Sequence, residues 1–368
     1  MVQGQEEKQY MIALTRIPGV GHGNAKKLIA YCGGPKEVFS KSHGALDKIP
    51  GIGKVLSSAV FKSDVLKEAE RELSACEKQG INILTFLDKD YPHRLNHCGD
   101  APILLYLKGE ADLNPERILS IVGTRNATLH GKEITAKIIE DLSALNVTIV
   151  SGLAYGIDIA AHRASLKFGI PTVACLAHGL DRIYPPAHAN TAFEMLGQGA
   201  LISEFPLGTK PDRENFPTRN RIVAGMSDAT IVVEAGIKGG ALITAELASG
   251  YNRDVFAIPG RTTDVYSEGC HKLIKENKGA LITCAKDIIT ALNWDIPETS
   301  IPSRQQRMLL DLTPDQEKIV EVLGEKSISV DQLAGLCGMS VSKVSSVLLE
   351  MEFDGLIRNL PGKMYQLV

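Results

Sequence analysis

Five basic residues lie in or next to short segments of glycine and other small residues, and their chemistry suits phosphate. They are Arg125, Arg219, Arg221, Lys238 and Arg261. A guanidinium group binds two phosphate oxygens at once through its planar fork. Arg219 and Arg221 flank Asn220 directly before an apolar stretch, which would orient and partly desolvate their side chains. We therefore predict that Arg219, Asn220 and Arg221 bind phosphate, against the alternative of a solvated charged turn.

The segments around the other basic residues favour backbone contacts with the same kind of ligand. Glycine lets the backbone approach an anion closely, and the unpaired N–H groups at a helix start favour negative charge. The predicted phosphate-binding segments are Gly123-Thr124-Arg125, Ser151-Gly152, Lys238-Gly239-Gly240 and Pro259-Gly260-Arg261. One such turn occurs in any sheet of this type, but several with basic residues indicate a shared site.

Other chemistries match the sequence poorly. Gly123-Thr124-Arg125 is not the GxGxxG fingerprint of dinucleotide-binding proteins, and the sequence contains no GxxxxGK[ST] motif. Asp158 and His162 have the spacing of a metal-binding or acid–base pair, but no third ligand is nearby in sequence and Asp158 suits a helix start. We therefore expect no cofactor, no metal and no catalytic residue.

Apolar runs that alternate with helical stretches must position these segments. The predicted strands are Ile118–Val122, Val147–Val150, Thr172–Leu176, Ala200–Ser203, Ala229–Val233 and Val255–Ile258, with Ile81–Leu87 and Ile103–Leu107 at the sheet edge. The predicted helices are His130–Ala144, Ile157–Phe168, Ala187–Leu196 and Ala241–Tyr251. This alternation predicts an α/β fold with a Rossmann-like parallel sheet. Ligands bind such sheets beyond the carboxyl ends of the strands, where the candidate segments lie.

A short repeat precedes this region. Ile17-Pro18-Gly19-Val20-Gly21 recurs as Ile49-Pro50-Gly51-Ile52-Gly53, and each copy leads into a helical run. The repeat predicts an N-terminal helix-hairpin-helix (SAM-like) domain. Its hairpin N–H groups suit contact with a phosphate backbone, without base readout. Gly19, Gly21, Gly51, Gly53 and Lys54 are the candidate contacts, and a purely protein-docking role is the open alternative.

The last segment has the pattern of a winged helix. Val330–Leu336 and Val341–Phe353 read as a helix-turn-helix, followed by a hairpin with Pro361-Gly362-Lys363 at its tip. Between Asp331 and the C-terminus four acidic residues face three basic ones, so a protein-contacting or regulatory role is favoured over duplex reading. The predicted domains are residues 1–80, 81–297 and 313–368, with a linker at 298–312.

Composition limits the function classes further. The chain has 368 residues and a net charge of −3, which argues against a uniformly basic protein that coats nucleic acid. Its N-terminal segment lacks the apolar core of a signal peptide, and we expect no membrane association. The seven cysteines are scattered and form no CxxC pair, which indicates reduced thiols and a cytoplasmic location.

Several of these motifs together resemble the DNA-processing protein A (DprA/Smf) family, closely over residues 90–285 and in type over both flanking domains. Besides Gly123-Thr124-Arg125 they include Tyr184-Pro185, Ser203-Glu204 and Pro259-Gly260. The two longest matching stretches are Ser151-Gly152-Leu153-Ala154-Tyr155-Gly156-Ile157-Asp158 and Phe216-Pro217-Thr218-Arg219-Asn220-Arg221.

The resemblance implies a non-enzymatic protein that binds and protects single-stranded DNA and loads RecA recombinase during natural transformation and recombination. It also implies a homodimer formed through the Rossmann-like core. By resemblance, Arg125, the Ser151-Gly152 turn, Arg219 and Arg221 line the DNA pocket. Phe216 and Tyr155 are aromatic residues near these positions in the sequence, and they are candidates for base stacking. The chain departs from the family pattern at Gly239-Gly240-Ala241-Leu242, where hydroxyl side chains are usual, and at His188, Asn190 and His271.

Two other functions remain open at this point. Lys238-Gly239-Gly240 with Thr244 and Glu246 partly matches the loop of nucleotide-monophosphate phosphoribohydrolases, although the leading Pro and the Gly-Thr step are missing. A duplex-DNA-binding regulator that acts through the winged helix is the second alternative. A scaffold protein is disfavoured by the clustered arginines.

Overall fold

The structure, a computed structural model, describes residues 2–61, 64–294, 312–324, 327–353, 356–360 and 364–367. The chain divides into two compact units, Met1–Ile296 and Pro297–Val368. The linker predicted at 298–312 lies outside the described residues except for position 312, and so does the wing tip Pro361-Gly362-Lys363. The three predicted domain boundaries stay predictions.

Six helices form the N-terminal part of the first unit. They are α1 (Val2–Arg16), α2 (His22–Cys32), α3 (Pro35–Ser40), α4 (His43–Leu46), α5 (Lys54–Phe61) and α6 (Val65–Lys78). The two predicted glycine hairpins immediately precede α2 and α5. Gly19 and Gly51 take φ values of 81° and 85°, which only glycine adopts readily. The helix-hairpin-helix prediction is therefore confirmed.

A nine-stranded sheet forms the centre of the first unit within the described chain. Its strands are β1 (Asn82–Thr85), β2 (Leu104–Gly109), β3 (Arg117–Gly123), β4 (Val147–Ser151), β5 (Thr172–Cys175), β6 (Ala200–Ser203), β7 (Ala229–Val233), β8 (Asp254–Ala257) and β9 (Ala280–Leu281). They lie in the order β1-β2-β6-β5-β4-β3-β7-β8-β9. The seven neighbouring strands β6, β5, β4, β3, β7, β8 and β9 run parallel to one another. Strand β2 pairs antiparallel with β6, and β1 pairs antiparallel with β2. The predicted α/β fold is confirmed.

Helices cover both faces of this sheet. They are α7 (His93–Asn96), α8 (Leu129–Leu142), α9 (Ile157–Lys167), α10 (Ala189–Met195), α11 (Asn215–Gly225), α12 (Gly240–Gly250), α13 (Glu268–Lys275) and α14 (Ala285–Ala291). Along β3, Leu119 and Ile121 pack with α8, α9 and α14, whereas Ile118 and Val122 pack with α11, α12 and α13. Alternate residues of each strand thus fill two separate cores.

Helix α11 and helix α13 were not predicted from the sequence. The segment around Pro217 was predicted to bind phosphate and was assigned no helix, but Pro217 is the third residue of α11. A proline is tolerated in a first helical turn because its missing N–H would have no partner there.

The second unit is a winged helix. It contains α15 (Pro314–Leu323), β10 (Ile328–Ser329), α16 (Val330–Cys337), α17 (Val341–Phe353), β11 (Ile357–Leu360) and β12 (Met364–Leu367). The three strands pair antiparallel in the order β10-β12-β11. Leu333, Val344, Leu348 and Met351 are fully buried and form its core with Ile319. The predicted winged-helix fold is confirmed; α17 has the predicted bounds and α16 ends one residue later than predicted.

Within the described residues, no single helix has the length and apolarity needed to cross a bilayer. The pair α16 and α17 passes such a test only when taken together, across a bend of 109°.

Candidate functional site

The order of strands reverses between β3 and β7, and two helices begin just beyond that point. The chain runs from β3 through β4 and β5 to β6 in one direction, and from β7 to β9 in the other. Helix α8 follows β3 on one face, and α12 follows β7 on the opposite face. Doubly wound sheets bind ligands at such a reversal, usually with an anion at a helix N-terminus. The two N-termini differ in what occupies them.

The N-terminus of α8 is occupied by a carboxylate of the chain itself. Glu234, at the end of β7, accepts hydrogen bonds from the backbone N–H of Thr128 at 2.9 Å and from the Thr128 hydroxyl. Thr128 in turn caps α8 by accepting from the N–H of Gly131 at 3.1 Å. A negative charge therefore already sits where a dinucleotide fold holds pyrophosphate, and a second anion would be repelled.

A crevice of about 550 Å³ opens beside this carboxylate. Its walls include Thr128, His130, Glu234, Arg261 and Asp264. Three residues of one predicted phosphate-binding segment, Pro259, Gly260 and Arg261, are among its described lining residues. The prediction for Arg261 is revised for that reason, because its surroundings are acidic and it stands apart from the other candidates.

The N-terminus of α12, by contrast, is open. Gly239 precedes the helix in an extended conformation without a side-chain cap, and Lys238 beside it is exposed. Gly240 is exposed, and a Cβ added there would meet nothing within 4 Å. The side-chain amide of Asn220 reaches the Gly240 carbonyl oxygen at 3.4 Å, which brings α11 to the same place. This helix start can accept an anion from solvent.

Arg125 extends this open region. Its exposed guanidinium lies over the ring of Phe216, 5.3 Å from the centroid. The Phe216 ring is 6.2 Å from that of Tyr184, which is 44% exposed. Phe216 and Asn220 are four residues apart on α11 and therefore share one face of the helix. We call this continuous set the α11 surface, and its members are Arg125, Tyr184, Phe216, Asn220, Lys238, Gly239 and Gly240.

Arg219 lies beneath this surface. It is 4% exposed, and its Nη1 donates to the carbonyl oxygen of Gly152 at 2.7 Å and to that of Cys175. Burial lowers the pKa of the guanidinium, while the nearby Asp158 carboxylate raises it. A Cβ on Gly152 would come within 2.5 Å of Arg219 Nη2, so glycine is needed there to admit the guanidinium.

Arg221 points to another part of the molecule. It forms an ion pair with Glu204 and donates to the carbonyl oxygen of Asp100. The same Glu204 oxygen is 3.0 Å from Nε2 of His22, the first residue of α2. Arg221 therefore joins the sheet to the N-terminal helices within the first unit.

The predicted set is thus divided by the structure. Arg219 and Arg221 are not presented to solvent, so direct phosphate binding by either is no longer supported, and both hold structure together instead. The Ser151 hydroxyl is buried and donates to the Ile121 carbonyl oxygen at 2.6 Å. Thr124 donates its N–H to the Glu234 carbonyl oxygen at 2.7 Å, and this bond fixes the turn that carries Arg125. The sequence analysis did not predict two contributors to the site. They are Glu234, whose carboxylate occupies the N-terminus of α8, and Tyr184, an exposed aromatic residue next to Phe216.

Comparison with known sequences decides the family. A sequence model described as DNA recombination-mediator protein A matches residues 82–293, and one described as the DprA winged helix domain matches residues 303–363. The chain belongs to the DNA recombination-mediator protein A family. Protein Smf of Escherichia coli is 37% identical over 309 residues, which is 82% of each chain.

Solved structures of other members share the fold. DNA processing protein A from Streptococcus pneumoniae superposes with a TM-score of 0.67 at 34% identity, covering 77% of this chain and 97% of that one. The Helicobacter pylori protein gives a TM-score of 0.53 at 28% identity, covering 58% of this chain and 95% of that one. The latter structure is described as showing a single-stranded DNA binding mode.

The two hairpins of this family member have different surroundings. Gly19, Gly21, Gly51, Gly53 and Lys54 are all exposed. The first hairpin leads into His22, which is bound to Glu204, so this hairpin is packed close to the sheet unit. The amino group of Lys27 lies 3.5 Å from the position of a Cβ on Gly51, which gives the second hairpin a positive charge.

Asp158 and His162 do not form a catalytic or metal-binding pair in this DprA-family chain. Asp158 Oδ2 accepts from the N–H groups of Gly152 and Ala154 at 3.1 and 3.4 Å. The Thr172 hydroxyl donates to the Ile149 carbonyl oxygen, so it accepts from Nδ1 of His162 at 2.8 Å. Among the described residues, no three His, Cys, Asp or Glu side chains could hold a metal ion.

Removal of the Arg219 side chain should cost stability. The Gly152 and Cys175 carbonyl oxygens would lose a charged donor inside the protein, so we expect Arg219→Ala to lower the free energy of unfolding by about 3 kcal/mol. Urea denaturation followed by circular dichroism measures this change. Arg125→Ala removes an exposed arginine and should stay within about 0.5 kcal/mol of the parent. Equal stability of the two variants would contradict the structural role of Arg219.

His162 should make this member sensitive to acid. Burial lowers its pKa to about 3, so the folded state keeps it neutral while the unfolded chain takes up a proton below about pH 6.5. Stability is therefore lost as the pH falls below that value. Between pH 7 and pH 5 the parent should lose about 2 kcal/mol more than His162→Asn in urea denaturation. Parallel losses in both proteins would show that His162 is not the cause.

Proposed function

We propose that this protein binds single-stranded DNA on the α11 surface and serves as a recombination mediator. The observation that carries the proposal is the exposed Arg125 guanidinium held on Phe216 beside the open N-terminus of α12. Both groups attract phosphate, and neither is paired with a carboxylate among the described residues. Family membership supports the same conclusion.

The aromatic part of the surface supports the preference for a single strand. Phe216 and Tyr184 lie next to the groups that attract phosphate, so a strand bound there brings its bases to their rings. Bases can stack on protein rings only when they are not already stacked in a duplex. Because every base has a flat face, such a surface reads no particular sequence.

The proposed activity is binding without catalysis. The loop that partly resembles phosphoribohydrolases carries Thr244, whose buried hydroxyl donates to the Gly240 carbonyl oxygen at 3.3 Å and so is engaged within α12. The expected result of incubation with AMP is that no free adenine forms, as measured by chromatography. Release of the base would favour the enzyme instead.

The winged helix supplies little charge for duplex DNA. Lys343, the one basic residue of α17, forms an ion pair with Asp315 at 2.8 Å. We propose that this unit contacts protein. Lys343→Ala should leave the affinity for a duplex oligonucleotide unchanged within twofold in a gel shift, because no phosphate contact is lost. A marked loss of affinity for the duplex alone would favour the alternative function, a duplex-DNA-binding regulator.

The partners follow from the same proposal. A RecA-type recombinase is the expected recipient of the bound strand, in the cytoplasm. A homodimer is supported by the open edge of the sheet, where both residues of β9 are exposed and Leu281 is 52% exposed. Unpaired sheet edges with apolar side chains are suited to association with a second copy. Analytical ultracentrifugation of the full chain tests the dimer.

Arg125 should contribute strongly to binding of a single strand. Loss of one charge-assisted contact predicts that Arg125→Ala weakens binding of an oligothymidylate by about 1.5–3 kcal/mol. It should also reduce the slope of log affinity against log salt concentration by about 0.7, the value for one phosphate of a single strand. Fluorescence anisotropy at several salt concentrations measures both quantities.

The matched control is Arg71→Ala, which removes an exposed arginine of α6 that is not a member of the α11 surface. It should bind as the parent does at every salt concentration. If Arg125→Ala and Arg71→Ala behave alike, the proposed surface is misplaced. A flat salt response of the parent would contradict phosphate binding itself.

A further inference from the structure

Tyr155 is a large aromatic residue that the cores of the protein do not use. It lies in the loop between β4 and α9 and is 49% exposed. A single exposed aromatic side chain is common on protein surfaces and by itself indicates no function. The position of Tyr155 relative to the α11 surface gives it a specific use.

The ring of Tyr155 is held in place from below. It meets the ring of His188 edge to face, with centroids 4.8 Å apart and an angle of 69°. His188 is 4% exposed and donates from Nδ1 to the Leu153 carbonyl oxygen at 2.8 Å. An anchored histidine thus supports one side of the tyrosine ring while about half of the residue remains open to solvent.

The loop that carries Tyr155 touches the turn that carries Arg125. A Cβ on Gly156 would lie 2.1 Å from the Thr124 carbonyl oxygen and 2.7 Å from the Arg125 carbonyl carbon. The N–H of Ile157 also donates to the Thr124 carbonyl oxygen at 3.2 Å. Tyr155 is therefore fixed next to Arg125 by backbone contacts, whereas Phe216 reaches Arg125 through its guanidinium.

Two sets of contacts lead to the turn that carries Arg125. Arg125 lies over Phe216, Phe216 is next to Tyr184, and His188 follows Tyr184 by four positions in the chain. His188 contacts Tyr155, whose neighbour Gly156 returns to Arg125. Phe216 and Tyr155 thus belong to two segments that both reach the Arg125 turn, one at its guanidinium and the other, through Gly156, at its backbone.

We propose that Tyr155 is a second base-stacking position, which holds the nucleobase adjacent to the one on Phe216. This inference rests on the proposed function and extends it: a strand whose phosphate lies at Arg125 has Phe216 beside the guanidinium and the Tyr155 loop beside the same turn. The ligand is an unpaired nucleobase of any type. Duplex DNA keeps its bases inside the helix and gains nothing from Tyr155.

The test compares three variants on two kinds of single strand. Tyr155→Ala and Tyr155→Leu should bind a thymidine dodecamer about tenfold more weakly than the parent, the loss typical of one stacked base. Tyr155→Phe keeps the ring and should bind like the parent. A dodecamer of abasic sites keeps the phosphates, and all three variants should bind it as the parent does.

A spectroscopic readout follows the ring itself. Trp294 is the single tryptophan of the chain, so Trp294→Phe with Tyr155→Trp gives a reporter at this position alone. The thymidine strand should quench its fluorescence, and the abasic strand should leave most of it. Equal quenching by both strands would show that no base reaches this ring and would overturn the proposal.

Failure of this inference differs from failure of the proposed function. If Tyr155→Ala binds the thymidine strand like the parent while Arg125→Ala binds weakly, the stacking position is wrong and the surface stands. If Tyr155→Ala loses equal affinity for both strands, Tyr155 only maintains the loop and stacking is refuted. If Arg125→Ala also binds normally, the α11 surface itself is refuted.

Discussion

The guanidinium of Arg219 joins three parts of the sheet unit, and the candidate site depends on that contact. One nitrogen donates to the carbonyl oxygens of Gly152 and Cys175, which follow or end the neighbouring strands β4 and β5. The arginine itself belongs to α11, so this helix is tied directly to the ends of both strands. Phe216 and Asn220 on the same helix consequently reach the turns after β3 and β7. A buried arginine is expensive to desolvate, and its role in orienting α11 explains why it is retained.

The site is also shaped by a difference between two helix starts. Glu234 fills the N-terminus of α8 with an internal carboxylate, while the N-terminus of α12 has an exposed glycine and a neighbouring lysine. The helix start that can accept an anion is therefore the one on the face of the sheet that carries α11 and α12. Arg125 and Phe216 are brought near it by α11. The crossover from β6 to β7, which contains α11, thus brings the ring of Phe216 next to Arg125 and the N-terminus of α12.

Most strands of the sheet could be predicted because they are buried and appear as apolar runs, whereas the short β9, whose two residues are exposed, was not predicted. Reasoning from apolar runs did not predict helix α11. For that reason it also did not predict that Arg219 and Arg221 are buried. Residues 221–226 are all buried, so this end of the helix has no solvent face and its arginine must point inward. The unbroken apolar run after Arg221 was the available signal. The direction of Arg125 could not be predicted, because it depends on Phe216, which is distant in sequence. The role of Glu234 depends on a left-handed backbone at that residue, with φ of 56°, which no periodicity reveals.

The carboxylate of Glu234 has a consequence for selectivity in a cell. Free ATP, NAD and other small metabolites are abundant there, and many α/β sheets bind their phosphate groups at the N-terminus of the first helix. With a carboxylate of the chain already at that helix start, a phosphate is repelled there, and a single phosphate makes only a few contacts on the α11 surface. A long polymer accumulates many weak contacts along the same surface. The protein therefore remains available to a rare polymeric ligand in the presence of a large excess of its monomers.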